Sequence, residues 1–182
     1  MTSSSTTSST TSRHNSWLWG SYSKLGLAVA LATLVIDQAH KWWMLLVYNI
    51  EAKGRVTVTP FLDLVYIKNT GISYSLFDMA TYTWQIMLST FAVVAALGLW
   101  IWLAKAGTSR LMAWSLALII GGALANGIDR VVLGGVADFF SLHAFGFYWY
   151  VFNIADVAIV AGVAGLLYDS IVTSRNDAAN PL

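Results

Sequence analysis

Gly121-Gly-Ala-Leu-Ala-Asn126-Gly-Ile-Asp129-Arg130-Val-Val-Leu-Gly134-Gly135-Val-Ala-Asp138-Phe139 sets charged and amide side chains inside the most hydrophobic half of the chain, and Phe152-Asn153-Ile-Ala-Asp156 follows shortly after. An ionisable side chain within a membrane span loses at least about 2.5 to 3.5 kcal/mol of hydration unless it meets water or a partner. Three aspartates and two asparagines grouped in such a setting therefore mark a site.

The composition around this stretch is that of an integral membrane protein. Apolar residues make up 57% of the 182 and charged residues only 10%, against about a quarter charged in a soluble domain. The length suits one compact bundle with a modest extramembrane piece, read as a single domain over residues 17–175. A net charge of +1 carries no nucleic-acid signature, and the lack of cysteine excludes disulfides, thiol catalysis and cysteine metal sites. Residues 1–16 are dominated by Ser and Thr and hold too few apolar groups to order themselves. They read as a disordered cytoplasmic tail and not as a secretory signal, because the first apolar run is too long and lacks a small-residue cleavage pattern. Residues 176–182 read as a second short cytoplasmic tail.

Four segments are long enough to cross a hydrocarbon core: 25–48, 84–104, 111–133 and 150–172. The fold expected is membrane all-α, a four-transmembrane-helix bundle with both termini on one side. Lys24, Lys105, Arg110 and Arg175 flank the termini and the loop between the second and third spans, which makes that side cytoplasmic. Lys53, Arg55 and Lys68 fall on the other side, balanced by Glu51, Asp63 and Asp78. Trp42, Trp43, Trp84 and Trp149 fall at the outer span ends, and Trp17, Trp19, Trp100, Trp102 and Trp114 at the inner ends, as interfacial belts do. Residues 49–83 differ. Arg55-Val-Thr-Val-Thr59 alternates, Pro60 interrupts, Phe61-Leu-Asp-Leu-Val-Tyr-Ile67 is rich in strand formers and Asn69-Thr-Gly71 turns the chain. This reads as a small extracytoplasmic β-rich lobe, with residues 134–149 as a second external loop covering the same face.

A rise of about 1.5 Å per residue sets the heights of the polar groups. Counting from Lys24, Asp37 lies about 20 Å up the first span and Lys41 one turn further. Asn126 and Asp129 come about 24 to 29 Å up the third span. Asn153 and Asp156 lie about 5 to 9 Å below the outer mouth of the fourth, and Asp138 just beyond the third. All of them share one level. Asp37 with Lys41, four residues apart, also fits a structural ion pair, and Arg130 fits a side chain that snorkels to the headgroups. Asn153 and Asp156 have no local cation and are harder to read as scaffolding.

His40 and His143 read as a span-end and a loop residue, and no His pair at helical spacing offers a zinc site. Ser73, Ser75 and Ser141 lack a Lys or His at a convincing spacing. Two aspartates meeting at a water-accessible membrane surface instead form a carboxylate dyad. Like charges that close do not both ionise, so one member holds a proton while the other accepts one. The ionised carboxylate then activates water against a peptide carbonyl and the protonated one hydrogen-bonds the carbonyl oxygen, with no metal or cofactor. Position alone leaves either Asp138 or Asp129 as the partner of Asp156. Two other classes compete: an ion-coupled membrane transporter or proton-relay subunit, since intramembrane acids mark such paths, and an assembly protein whose polar residues lock helices together.

Through Asp37-Gln38 with Lys41, Asn69-Thr-Gly71-Ile-Ser-Tyr74, the block from Gly121 to Phe139, and Phe152-Asn-Ile-Ala-Asp156, the chain resembles the lipoprotein signal peptidases, or signal peptidase II family. The match covers nearly everything after the Ser/Thr-rich tail. The resemblance implies an aspartic endopeptidase of the bacterial inner membrane with its dyad at Asp138 and Asp156. It implies that Asp37, Lys41, Asn69, Gly71, Asn126, Asp129, Arg130 and Asn153 line or support the site. The substrates implied are prolipoproteins whose lipobox cysteine already carries diacylglycerol, cut before that cysteine near the outer, periplasmic face. Membrane lipids are the other expected partner; nucleic acid and an obligate protein partner are not expected. The sequence departs from the family's pattern at Ala125, where glycine is usual, and at Ser73-Tyr74, where Ala-Phe is usual. Both departures bear on substrate preference more than on reaction type.

Overall fold

The computed structural model describes residues 18–71 and 81–179. The 1–16 tail, Ser73-Tyr74 and the last three residues lie outside them. Helix α1 (Ser23–Trp42) runs into a π-helical segment, Trp43–Val47, where the Tyr48 amide donates to the Trp43 carbonyl at 2.9 Å. The one-turn helix α2 (Ile50–Lys53) leads to strands β1 (Val56–Thr59) and β2 (Leu62–Asn69). Helices α3 (Tyr82–Ala106) and α4 (Arg110–Leu133) follow. Strands β3 (Val136–Ala144) and β4 (Phe147–Phe152) then form a hairpin, and α5 (Ile154–Ala179) completes the described chain.

Among the described residues, three helices are long and apolar enough to cross a membrane: α3, α4 and α5. Helix α1 is not one of them, because its C-terminal end carries Asp37, Gln38, His40 and Lys41. Helix α4 packs against α1, α3 and α5. It buries 61% of its most apolar window whereas α3 and α5 bury 17% each, so α4 is the axis and its neighbours turn apolar surface outward. Local chemistry sets its ends. The Ser109 hydroxyl accepts from the Met112 amide at 2.9 Å, and Gly134 closes the helix in the left-handed region at φ 73°.

Two glycines let α4 approach its neighbours closely. A Cβ on Gly121 would stand 2.6 Å from the Ala30 carbonyl oxygen of α1, and one on Gly122 would stand 2.6 Å from the Ala155 carbonyl oxygen of α5. Both obstacles are backbone, so neither yields by a rotamer change. Gly122→Ala is expected to cost about 1 to 3 kcal/mol through overpacking, read as a lower thermal midpoint in mild detergent. Gly98→Ala is its control, because a Cβ there meets nothing within 4 Å.

The four strands form one antiparallel sheet in the order β1-β2-β3-β4. This corrects the reading of residues 134–149 as a loop, and half of the β-rich lobe comes from outside 49–83. Strand β3 was hidden because four of its first five residues are buried and it shows no one-sided alternation. The fourth long helix starts at Ile154, not at Tyr150, and continues to Ala179, beyond the expected end at 172. Trp149 accordingly lies in β4 and not at a helix end. Met44, Ile50, Ala137 and Phe139 form a buried cluster under the sheet, and His40 of α1 stacks on Phe140 with 5.2 Å between centroids. These contacts seat the sheet across the polar ends of α1 and α4.

Candidate active site

Each polar side chain reaches the site from a different element. Strand pairing of Asn69 with Val136 and of Ile67 with Asp138 carries the end of β2 and the start of β3 past the top of α4. Asn69 then forms a local turn in which its Oδ1 accepts from the Gly71 amide at 3.1 Å. Its Nδ2 donates to Asp138 Oδ2 at 3.2 Å. A Cβ on Gly135 would lie 3.0 Å from the Asn69 carbonyl oxygen, so glycine permits that close approach.

Asn153 and Asp156 begin α5 as a reciprocal capping pair. Asn153 Oδ1 accepts from the Asp156 amide at 2.9 Å, and Asp156 Oδ2 accepts from the Asn153 amide at 3.1 Å. Asp156 thus sits in the first turn of the helix, closer to its mouth than the expected depth. Asn153 Nδ2 lies 2.7 Å from Asp138 Oδ1 and 3.1 Å from Asn126 Oδ1. Asn126 Nδ2 donates to Asp156 Oδ1 at 2.9 Å. Two asparagines therefore bridge Asp138 and Asp156.

Beneath this pair lies an ionic group. Lys41 Nζ is 2.8 Å from Asp37 Oδ2, 2.6 Å from Asp129 Oδ2 and 2.9 Å from Asn126 Oδ1, with its side chain only 2% exposed. Asp37 Oδ1 also accepts from the Ala155 amide at 2.8 Å, tying α1 to the start of α5. Asp129 accepts from the Ala137 amide at 3.1 Å and from Gln38 Nε2 at 2.7 Å. Arg130 donates to the Asn126 carbonyl at 3.1 Å and lies within electrostatic reach of Asp129, Asp138 and Asp156. The ten residues singled out by sequence thus meet at one end of the helices, linked by one continuous set of hydrogen bonds and ion pairs.

Asp129 and Asp138 differ in a way that spacing did not reveal. Both Asp129 oxygens are engaged by Lys41, Gln38 and the Ala137 amide. Among the described residues, Asp138 accepts from two neutral amides, those of Asn69 and Asn153. Burial, and next the charge of Asp156, push its carboxyl from 3.8 up to about 7, against the hydrogen bonds from Asn69 and Asn153 and the more distant Lys41. Among the described residues, four carboxylates here face two cations, Lys41 and Arg130, so full ionisation would leave an excess of negative charge. A retained proton relieves it.

Three supporting residues stand outside those ten: Gln38, quoted in the sequence only beside Asp37, and Gln85 and Ser89, which the sequence reading passed over. Gln38 donates to Ala125 O at 3.2 Å as well as to Asp129, and Ala125 is fully buried, which places the departure from glycine under the site. Gln85 Nε2 donates to the Thr70 carbonyl at 2.5 Å, and Ser89 Oγ donates toward the Gln85 and Gly127 carbonyls at 2.8 and 3.0 Å. Helix α3, the second of the expected spans, thus carries two buried polar residues facing inward. Gln85 and Ser89, four apart in an apolar helix, were the available signal. His143 lies on β3 and not in a loop, with Nε2 3.3 Å from Asp63 Oδ1.

The family model described as signal peptidase (SPase) II matches residues 29–172. The chain belongs to the signal peptidase II family. Its members include a protein of Methylocella silvestris named lipoprotein signal peptidase, 50% identical over 153 residues, covering 83% of this chain and 88% of that relative. One from Methylobacterium sp. with the same name is 51% identical over 156 residues, covering 85% and 94%. A bacterial membrane enzyme solved by the in meso method at 2.3 Å resolution superposes with a TM-score of 0.69 at 25% identity, over 87% of this chain and 92% of that one. As a signal peptidase II the protein is a protease, and its apolar helices agree with a membrane enzyme.

Proposed function

We propose that this signal peptidase II removes signal peptides from diacylglyceryl-modified prolipoproteins by an aspartic mechanism, with Asp138 and Asp156 as the dyad. The observation that carries this reading is the Asp138–Asn153–Asn126–Asp156 chain of hydrogen bonds at the end of the apolar helices. Asp138 is the protonated member and hydrogen-bonds the scissile carbonyl oxygen. Asp156 takes a proton from the attacking water. As the tetrahedral species collapses, the C–N bond breaks and a proton passes to the leaving amine. Asn126 and Asn153 hold the carboxyl groups in register, and Lys41 with Asp37 and Asp129 holds Asn126. Grouping of the polar residues at one end favours this chemistry over a transport path, which needs polar groups across the whole bilayer.

In the membrane, α1 serves as the fourth span, its charged end covered by α4 and the sheet. The single domain of 17–175 has both termini in the cytoplasm, and the site opens at the periplasmic face of the inner membrane. A diacylated substrate already lies in that leaflet, so its scissile bond, just before the lipidated cysteine, arrives at the level of the dyad. The purified protein in liposomes is expected to cut a diacylglyceryl-modified precursor and to leave its unmodified form intact. Equal cutting of both would refute the lipid requirement, and ion flux without cutting would restore the transporter reading.

The pH dependence has a definite sign. Asp138 is protonated below its pKa of about 7, so kcat/KM falls as pH rises through that value. Its raised pKa also makes protonation favour the folded state, so this stabilisation is present at acid pH and is lost as pH climbs from about 4 to about 7. A pH–rate profile and thermal midpoints over the same range check both, and Asp138→Asn removes the second dependence.

A further inference from the structure

The β3–β4 hairpin turns at Phe145 and Gly146, both at positive φ, 53° and 81°, between the paired residues Ala144 and Phe147. Such a turn favours Asn, Asp or Gly, and a bulky residue there is strained. Phe145 occupies it with its side chain wholly in the open, 104% exposed. Water rewards neither the strain nor the exposure.

The two faces of β4 differ. Tyr148 lies against His143 in a tilted ring contact, 5.0 Å between centroids, and receives the Arg55 guanidinium at 5.3 Å, while Arg55 pairs with Asp63 at 2.6 Å. That face belongs to an ionic group spanning the sheet. On the opposite face Phe147 and Trp149 pack edge to face, 5.6 Å between centroids, and stay 64% and 65% exposed. From residue 139 to 155 the chain has no Asp, Glu, Lys or Arg, whereas Glu51 and Lys53 precede the opposite edge strand, β1, and the one cation that reaches β4, Arg55, lies on the Tyr148 face. Strand β4 ends at Phe152, and the membrane-crossing helix α5 begins at Ile154. The apolar face of the hairpin is thus continuous with a surface that already meets lipid.

We propose that Phe145 and the Phe147/Trp149 face of this hairpin insert into the interfacial layer of the bilayer and hold the free edge of the sheet against the membrane. Aromatic side chains favour that layer, and an apolar patch of this kind marks an interaction surface. The lipid supplies the burial that the protein does not give Phe145. The proposal rests on α5 crossing the membrane and not on the assignment of the dyad.

The chain has no cysteine, so single labels are clean. Phe145→Cys, and Val58→Cys on β1, each carry a nitroxide in the full-length protein, reconstituted in phosphatidylethanolamine/phosphatidylglycerol vesicles. Power saturation then compares collisions with oxygen, which concentrates in lipid, and with a water-soluble nickel complex. The expected result is a shift toward oxygen and a loss of nickel collisions at 145, with the reverse at 58. Nickel access at 145 equal to that at 58 would overturn the proposal. Where labelling at 145 alters the thermal transition, Phe147→Cys takes its place with the same two outcomes.

Discussion

Replacing Lys41 with Met destabilises the folded protein by about 3 to 5 kcal/mol, the range for removing one partner from a buried charge pair. Each of the three ammonium protons has an acceptor: Asp37, Asp129 and Asn126. Methionine keeps most of the volume and apolar stem, so little of the loss comes from a cavity. The cost arises because two carboxylates, 0% and 2% exposed, lose the cation that compensated their desolvation. Thermal unfolding in mild detergent measures it. The triple variant Lys41→Met/Asp37→Asn/Asp129→Asn should recover part of the loss, since it removes the stranded charges along with the cation. A Lys41→Met protein as stable as wild type would show that the ion group does not hold α1 to α4.

Asp138→Asn and Asp156→Asn are each expected to lower the cleavage rate of a diacylated precursor by at least about a thousandfold, within the reach of a lost acid or base. Asparagine keeps the shape of the carboxylate and retains one accepting oxygen, so membrane insertion and the α5 cap survive. The two changes should not add. Once one member of the dyad is gone the other has no partner in the chemistry, and the double variant should be about as slow as either single one. Asp129→Asn separates the roles of the neighbouring aspartates. Its carboxylate is engaged by Lys41, Gln38 and the Ala137 amide, so it should lower stability before it lowers the chemical step. Single-turnover cleavage in liposomes distinguishes these outcomes, and wild-type rates from a folded Asp138→Asn or Asp156→Asn protein would defeat the dyad assignment.

The level of the polar residues was legible because helical rise alone sets it: Asp37, Asn126 and Asp129 could be placed at one end of their helices before any contact was known. Their partnerships were not. Whether Lys41 faces Asp129 depends on the rotation of α1 against α4, which Gly121 fixes by close approach, and nothing local encodes it. Strands β1 and β2 showed themselves by alternation and by Pro60, but β3 is buried on both faces and reads only as an apolar run broken by Asp138. The start of α5 was missed for a related reason. The apolar run 147–160 hides the end of β4, and the marker was Asn153 three residues before Asp156, a capping pair. Position left Asp129 and Asp138 both open and the family resemblance pointed to Asp138; the difference in their hydrogen-bond partners is displayed only by the folded chain.

The proposed dyad keeps one proton at neutral pH. Infrared difference spectra of the protein in bilayers, recorded across the neutral range, observe that proton through the stretch of a protonated carboxyl group. The expected band fades with an apparent pKa of about 7 and is missing from Asp138→Asn. In Asp156→Asn it titrates at lower pH, because the neighbouring charge that raised it has gone. A neutral-range spectrum identical in wild type and Asp138→Asn, with no carboxyl titrating near pH 7, would contradict it.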